Sequence, residues 1–306
     1  MTASRPPADT PADAAPPSRA RAYALLPLVV LLWGVNWPAM KVALEYVTPL
    51  WFATLRTALG AACLFAVLAL TGRLAPPTRR DLPIVLSVAL LQVAMFQPLT
   101  NLGLRHVAAG RAAVLVYTTP LWVTPGAVLL LGERLTPLKV AGLACGLGGI
   151  GLLFDPLALD WSRSDVVLGS VELMAASILW GVAILHIRAH RWHLSALQLT
   201  PWQLLLGLVF LLPVTLALEG RDPGQWNPTS IAVIAYNGPI ATAFCYWAAT
   251  TISRALPAIT TSLAFLGVPA VGILCSLLFL GERPDGALLG GFGLILVGVT
   301  LVNLAD

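Results

Sequence analysis

Residues 120–134 read PLWVTPGAVLLLGER, and residues 269–283 read PAVGILCSLLFLGER. Each stretch begins at a proline, continues as an apolar run and ends in Gly-Glu-Arg, and the two lie 149 residues apart. Arg105 recurs as Arg254 at the same spacing, and Trp33 recurs as Trp180 at a spacing of 147. The second half of the chain therefore repeats the first.

The composition excludes a water-soluble globular protein. Of the 306 residues, 58% are hydrophobic and 10% are charged, and the mean hydropathy is +0.84, whereas a soluble domain carries about 25% charged residues. Long apolar runs alternate with short charged gaps, and no gap could hold a soluble catalytic domain. Unbroken runs such as residues 25–33 are also unlike the alternating strands of a β-barrel. The sequence predicts an all-α integral membrane protein.

Ten transmembrane helices are expected, because each needs about 20 apolar residues. Their predicted positions are 23–44, 51–71, 82–103, 108–131, 138–154, 168–188, 197–218, 230–252, 258–280 and 287–304. Each half of the chain holds five spans, and since five is odd, the second half enters the membrane in the opposite sense. Such inverted repeats are typical of alternating-access carriers.

The predicted division of the chain follows the duplication. A disordered, cytoplasmic N-terminal tail is expected over residues 1–21, where Pro, Ala and polar residues dominate. The first five-helix repeat is expected over 22–154, an extracytoplasmic linker over 155–167, and the second repeat over 168–304.

Basic residues predict the orientation in the membrane. With both termini in the cytoplasm, the cytoplasmic segments hold eleven basic residues and the opposite side holds five. The positive-inside rule therefore favours a multi-pass protein of the cell (inner or plasma) membrane with both termini cytoplasmic. The four cysteines lie in apolar segments without ligand-like spacing, so neither a metal site nor a cofactor is expected.

Several of these features are similar to one known family. Residues 33–41 read WGVNWPAMK, Arg56 follows in the second span, and residues 117–120 read YTTP ahead of the first Gly-Glu-Arg. Together with the duplication, they resemble the EamA-type family of the drug/metabolite transporter superfamily over residues 22–304. The resemblance implies a carrier in which spans 1–4 and 6–9 surround a central cavity while spans 5 and 10 pack outside. That family includes amino-acid and metabolite exporters, so the substrate stays open. Glu172 differs from the family, which usually has an apolar or small residue at this position.

Polar and aromatic side chains give the candidate substrate site. Trp33 and Asn36 share one face of span 1 with Trp37, Met40 and Lys41, because they recur at three- and four-residue spacing. Gln97 and Asn101 lie one turn apart on span 3, and the duplication maps them to Tyr246 and Thr250 on span 8. We expect the substrate to contact Trp33, Asn36, Gln97, Asn101, Tyr117, Trp180, Tyr246 and Thr250. The alternative is that these residues hold helices together.

Three charged residues of the spans are candidates for substrate charge recognition or ion coupling. Lys41 and Arg56 lie near the outer face, where long basic side chains also extend to the membrane surface without a further role. One of them could contact a substrate carboxylate or pair with Glu45 or Glu172. Glu172 could take up a proton if it is buried, although a solvated position in the headgroup region is the expected one.

Two smaller motifs have structural explanations. Glu133 and Glu282 lie where spans 4 and 9 end, a position at which a carboxylate caps backbone N–H groups or holds the adjacent arginine. Gly142 and Gly146 in span 5, and Gly286 and Gly290 in span 10, permit close helix contact. That contact could be internal packing or a homodimer seam through spans 5 and 10.

A solute carrier accounts for these features better than an enzyme does. No nucleophile motif, metal cluster or pair of carboxylates at helical spacing lies in the spans, so an intramembrane enzyme acting on lipid-linked substrates is a remote alternative. Within carriers, export of a small polar metabolite such as an amino acid is preferred, because the candidate cavity mixes amides, hydroxyls and indoles. Efflux of lipophilic drugs or cations is the rival. The expected partners are a small-molecule solute and the lipid bilayer, not nucleic acid.

Overall fold

The fold consists of helices joined by short loops. The computed structural model describes residues 17–154, 164–280 and 286–304. Within them the helices are α1 (Arg19–Ala43), α2 (Pro49–Leu70), α3 (Leu82–His106), α4 (Ala109–Leu131), α5 (Pro137–Phe154), α6 (Ser164–Ala189), α7 (Ala196–Glu219), α8 (Pro228–Ala255), α9 (Ala258–Ala264 and Gly267–Leu280) and α10 (Gly286–Asn303).

The predicted all-helical, multi-span membrane class is confirmed. Among the described residues, eight helices are long and apolar enough to cross a membrane, and Pro137–Leu152 is a shorter apolar helix. The only β pairing within the same ranges is an isolated antiparallel bridge between Val47 and Gly224. The total of ten spans stays a prediction.

Helix α1 begins inside the segment expected as a tail. The Ser18 side chain accepts a hydrogen bond from the Arg21 backbone N–H and so caps the helix, which starts at Arg19. Helix α6 likewise starts at Ser164, inside the segment expected as a linker. Residues 1–16, 155–163, 281–285 (including Glu282) and 305–306 lie outside the described residues.

Both halves interrupt their α-helices at corresponding places. Helix α3 contains a π-helical stretch at Ala89–Met95, and α8 contains one at Asn237–Phe244. Helix α4 is broken ahead of Pro120, where the Thr118 and Thr119 hydroxyls donate to the carbonyls of Leu115 and Val116. Proline supplies no N–H to the helix, and these hydroxyls satisfy carbonyls near the break. Helix α9 is also broken, between Ala264 and Gly267.

Helices α5 and α10 pack tightly against each other within one chain. A Cβ added to Gly149 would lie 2.6 Å from the carbonyl oxygen of Gly291, and one added to Gly298 would lie 2.7 Å from that of Gly142. Only residues without a side chain allow backbones to come this close. Gly142, Gly146 and Gly149 of α5 are therefore occupied by internal packing, whereas a Cβ at Gly286 of α10 would meet nothing within 4 Å. A homodimer through spans 5 and 10 stays a prediction.

Two carboxylates join the halves through helix N-termini. Glu133, which follows α4, accepts hydrogen bonds from the backbone N–H groups of Ala258 (2.6 Å) and Ile259 (3.1 Å) at the start of α9. Glu219, at the end of α7, accepts from the N–H groups of Leu50 and Trp51 at the start of α2, each at 3.0 Å. A carboxylate in this position satisfies free donors and favours the positive end of the helix dipole. The capping role predicted for Glu133 is confirmed.

Candidate functional site

A central cavity lies among six helices: α1, α2, α3, α4, α6 and α8. Its empty space, part of which is open to solvent, is about 520 Å³. Seven of the eight residues expected to contact substrate line it: Trp33, Asn36, Gln97, Asn101, Tyr117, Trp180 and Tyr246. Arg56 lines it as well. Phe96, Thr100 and Val116 also line the cavity, although the sequence analysis did not single them out. Each is the residue directly before a predicted one, namely Gln97, Asn101 and Tyr117.

Aromatic rings form one wall of the cavity. Trp33 meets Trp180 edge to face at a centroid distance of 5.4 Å, and Trp180 meets Tyr246 in the same way at 5.7 Å. Phe96 packs against the other side of Trp180 at 4.7 Å. The Trp33 indole N–H donates to the Ala241 carbonyl in the π-helical stretch of α8, at 3.0 Å. These contacts fix the rings as a preformed apolar surface.

Amide side chains on α1 and α3 line the cavity, and each makes one hydrogen bond or sulfur contact. Asn36 donates from Nδ2 to the Met40 sulfur at 2.9 Å, Gln97 accepts from the Thr57 hydroxyl at 3.1 Å, and Asn101 donates to the Pro49 carbonyl at 2.9 Å. The opposite atoms of two of these amides, Asn36 Oδ1 and Asn101 Oδ1, are buried without a hydrogen-bond partner among the described residues. Such groups are costly unless a ligand or water satisfies them.

Arg56 brings a buried positive charge to the same cavity. The residue is 4% exposed, its Nε donates to the Thr242 hydroxyl at 2.9 Å, and Nη1 contacts the Met40 sulfur at 3.6 Å. The guanidinium also lies 5.8 Å from the centre of the Phe52 ring. No carboxylate in the described part of the chain forms an ion pair with it.

Three of the candidate residues lie outside the cavity. Thr250 is buried on α8 but does not line it, so the two halves contribute differently despite the duplication. Lys41 instead donates to the carbonyls of Leu104 and Val107 at the end of α3. Glu172 is partly buried on α6, near His106, and its Oε2 atom has no hydrogen-bond partner among the residues described.

A bundle of membrane-crossing helices around a polar and aromatic central cavity is the architecture of a solute transporter. The chain belongs to the EamA-like transporter family, whose model matches residues 20–155 and 167–304. It is therefore a multi-pass membrane transporter and not an enzyme.

Similar proteins carry transporter names. The chain is 28% identical over 271 residues to the uncharacterized transporter YoaV of Bacillus subtilis (strain 168), covering 89% of this chain and 92% of that one. It is 27% identical to a probable terminal-alkyne amino-acid exporter of Streptantibioticus cattleyicolor, covering 91% and 92%. It is 26% identical to a probable amino-acid metabolite efflux pump of Escherichia coli (strain K12), covering 89% and 91%.

The fold also matches a solved crystal structure. The superposition has a TM-score of 0.74 at 21% sequence identity and covers 94% of this chain and 99% of the other. This likeness concerns the fold alone.

Proposed function

We propose that this protein is a secondary transporter that exports a small polar metabolite, an amino acid or a similar compound, by alternating access. The observation that carries the proposal is the central cavity, which is lined by the amide-bearing residues Asn36, Gln97 and Asn101 together with the indoles of Trp33 and Trp180. Such a wall can hydrogen-bond a polar solute and pack against its apolar part. Two relatives named for amino-acid or amino-acid-metabolite export support this substrate class.

Efflux of lipophilic cations fits this cavity less well. A substrate with only a positive charge would gain no ion pair here, because no carboxylate lines the cavity among the described residues. The charge that does line it, on Arg56, is positive. A drug or cation exporter is therefore the second candidate.

We also propose that the protein lies in the cell membrane with both termini in the cytoplasm and the two repeats inverted. The distribution of basic residues between the two sides supports this orientation. A dimer through α5 and α10 would have to use residues outside their mutual contact, which already takes up Gly142, Gly146 and Gly149 of α5.

The transport assay uses purified protein in liposomes. A thermal-shift screen of amino acids, amines and lipophilic cations selects ligands, and efflux of each labelled hit is then measured from loaded liposomes. We expect faster efflux of at least one amino acid than from protein-free liposomes. Efflux of lipophilic cations alone would contradict the proposal and favour the second candidate.

A further inference from the structure

We propose that the cavity recognises the free carboxylate of an α-amino acid through Arg56. This inference rests on the proposed function and makes it more specific, because it requires a substrate that carries a carboxylate beside its amino group. The argument starts from the hydrogen-bonding capacity of Arg56.

A guanidinium has five N–H donors, arranged in a planar fork. In Arg56 one donor is used by the Thr242 hydroxyl and one by the Met40 sulfur, which is a weak acceptor. One Nη1–H and both Nη2–H groups have no protein acceptor among the described residues. They lie on a side chain that is almost fully buried and lines the cavity.

A buried cation without a counter-ion is expensive. Removing a charge from water costs several kcal/mol unless an opposite charge or several hydrogen bonds replace the lost solvation. The contacts of Arg56 with a hydroxyl, a sulfur and the Phe52 ring offset only part of this cost. A substrate carboxylate would supply the missing charge and accept two parallel hydrogen bonds from the guanidinium.

The position of Asn36 points to an amino group on the same substrate. Asn36 Nδ2 and Arg56 Nη1 contact the same sulfur atom of Met40, at 2.9 and 3.6 Å, so the two side chains are near neighbours. The unpartnered Asn36 Oδ1 is an acceptor, which suits an ammonium group. An α-amino acid carries its ammonium and carboxylate groups on one carbon and therefore fits a donor fork beside an acceptor.

The second half of the chain does not provide an equivalent charge. Gln203 takes the place of Arg56 in the duplication, and it does not line the cavity. Lys41 is engaged with the carbonyls at the end of α3. Among the described residues that line the cavity, Arg56 is therefore the one cationic side chain, which suits a monocarboxylate.

The first experiment compares substrates on the wild-type protein in liposomes. The probes are the twenty protein amino acids and, for each one carried, its methyl ester and its decarboxylated amine as competitors at equal concentration. We expect the amino acid to compete with itself and neither analogue to compete. If no amino acid is carried, the proposed function fails together with this inference. If the ester or amine competes as well as the amino acid, the carboxylate inference alone is overturned.

The second experiment tests Arg56 directly. Loss of a charge-assisted, bidentate contact in Arg56→Gln should weaken apparent affinity for the amino acid about ten- to hundredfold. Arg56→Lys, which keeps the charge without the fork, should recover part of that loss. Arg254→Gln is the matched control, since Arg254 is also a buried arginine but does not line the cavity; the preference for amino acid over ester should stay as in the wild type.

The melting temperature shows whether Arg56→Gln is folded. Comparing the amino acid with its ester shows whether a loss of affinity concerns the carboxylate. If Arg56→Gln does not fold, Arg56→Lys and the wild-type competition still decide the inference. Unchanged amino-acid affinity in a folded Arg56→Gln protein would overturn it, as would an equal preference for amino acid over ester in wild type and Arg56→Gln.

Discussion

Asn36 illustrates how one side chain can be buried without holding two helices together. Its Nδ2 contacts Met40 one turn along the same helix, and its Oδ1 has no partner in the described part of the chain. Neither atom reaches another helix through a hydrogen bond that the structure shows. The alternative drawn from the sequence, in which Asn36 fastens helices, therefore has no hydrogen bond to support it.

Replacing Asn36 by Ala should impair transport more than stability. Loss of one substrate hydrogen bond would lower apparent affinity about five- to tenfold, whereas a membrane hydrogen bond contributes about 0.6 kcal/mol to folding on average. Liposome transport and thermal unfolding of the same preparation measure the two effects. Asn237→Ala is the control, because Asn237 is a buried asparagine outside the cavity whose Nδ2 bonds to its own helix.

Two results together would contradict the assignment of a substrate site to α1. These are a sharp fall in melting temperature for Asn36→Ala and an unchanged affinity in the protein that survives. Asn237→Ala should leave affinity unchanged in either case.

Helical periodicity was enough to predict the shared face of Trp33 and Asn36, and the structure brings both to the cavity. Periodicity places Lys41 on the same face, but its long side chain does not line the cavity and instead donates to the carbonyls at the end of α3. The duplication predicted equal roles for Asn101 and Thr250, but only Asn101 lines the cavity. Equivalent positions in a repeat carry different side chains, and side-chain length and packing decide which of them reaches the centre.

His190 should make stability depend on pH. It follows α6, lies 3.7 Å from the buried Asp81 carboxylate, and stacks edge to face with His186 and Trp192. Burial lowers the pKa of His190 from its ordinary value of 6.5, and His186 and His193 lower this pKa further, while Asp81 acts in the opposite direction. The folded protein therefore binds this proton less readily than the unfolded chain.

The free energy of unfolding should then fall as the pH drops below about 6.5. In His190→Asn the melting temperature should fall less than in the wild type between about pH 7.5 and pH 5.5. His106→Asn is the control, since His106 is exposed at the end of α3 and lies away from this cluster. Identical pH dependence in wild type and His190→Asn would contradict the expectation.

The paired helices α5 and α10 show how far small residues can predict packing. The glycine spacing indicated close contact, and the structure shows which helix lies opposite, because Gly149 faces Gly291 and Ile295. The break in α4 lies directly ahead of Pro120, a residue that supplies no N–H to a helix. The π-helical stretches of α3 and α8 gave no comparable signal, since no single residue type requires an extra residue in a helical turn.

Replacing Gly149 by Val should push α5 and α10 apart. The new Cβ would lie 2.6 Å from the Gly291 carbonyl oxygen, and backbone cannot rotate away as a side chain can. Overpacking of this kind typically costs about 1–3 kcal/mol. Thermal unfolding in detergent should show a lower melting temperature for Gly149→Val. Gly151→Val is the matched control on the same helix, because a Cβ at Gly151 meets nothing within 4 Å; an equal fall in both variants would contradict this account.

Hydrogen bonds from two glutamates connect the two halves of the molecule. Glu133 reaches from the end of α4 to the start of α9, and Glu219 reaches from the end of α7 to the start of α2. Hydropathy and the duplication were enough to predict a multi-span helical bundle. They could not predict how many residues each helix contributes to the cavity. Helix α1 contributes four and α8 one, and these numbers depend on the packing of particular side chains.

The inverted arrangement predicts the side of the membrane on which each Gly-Glu-Arg segment lies. Single cysteines at Arg134 and Arg283, in a protein whose four native cysteines are replaced by alanine, report the two segments. A membrane-impermeant maleimide added to intact cells should label the Arg283→Cys protein and not the Arg134→Cys protein, because an odd number of spans separates the two positions. Arg79→Cys serves as the cytoplasmic reference and Arg221→Cys as the outer one, since both loops are exposed. Opening the cells should make the Arg134 and Arg79 positions reactive. Equal labelling of the Arg134 and Arg283 positions from outside would rule out the inverted repeat, and with it the case for alternating access.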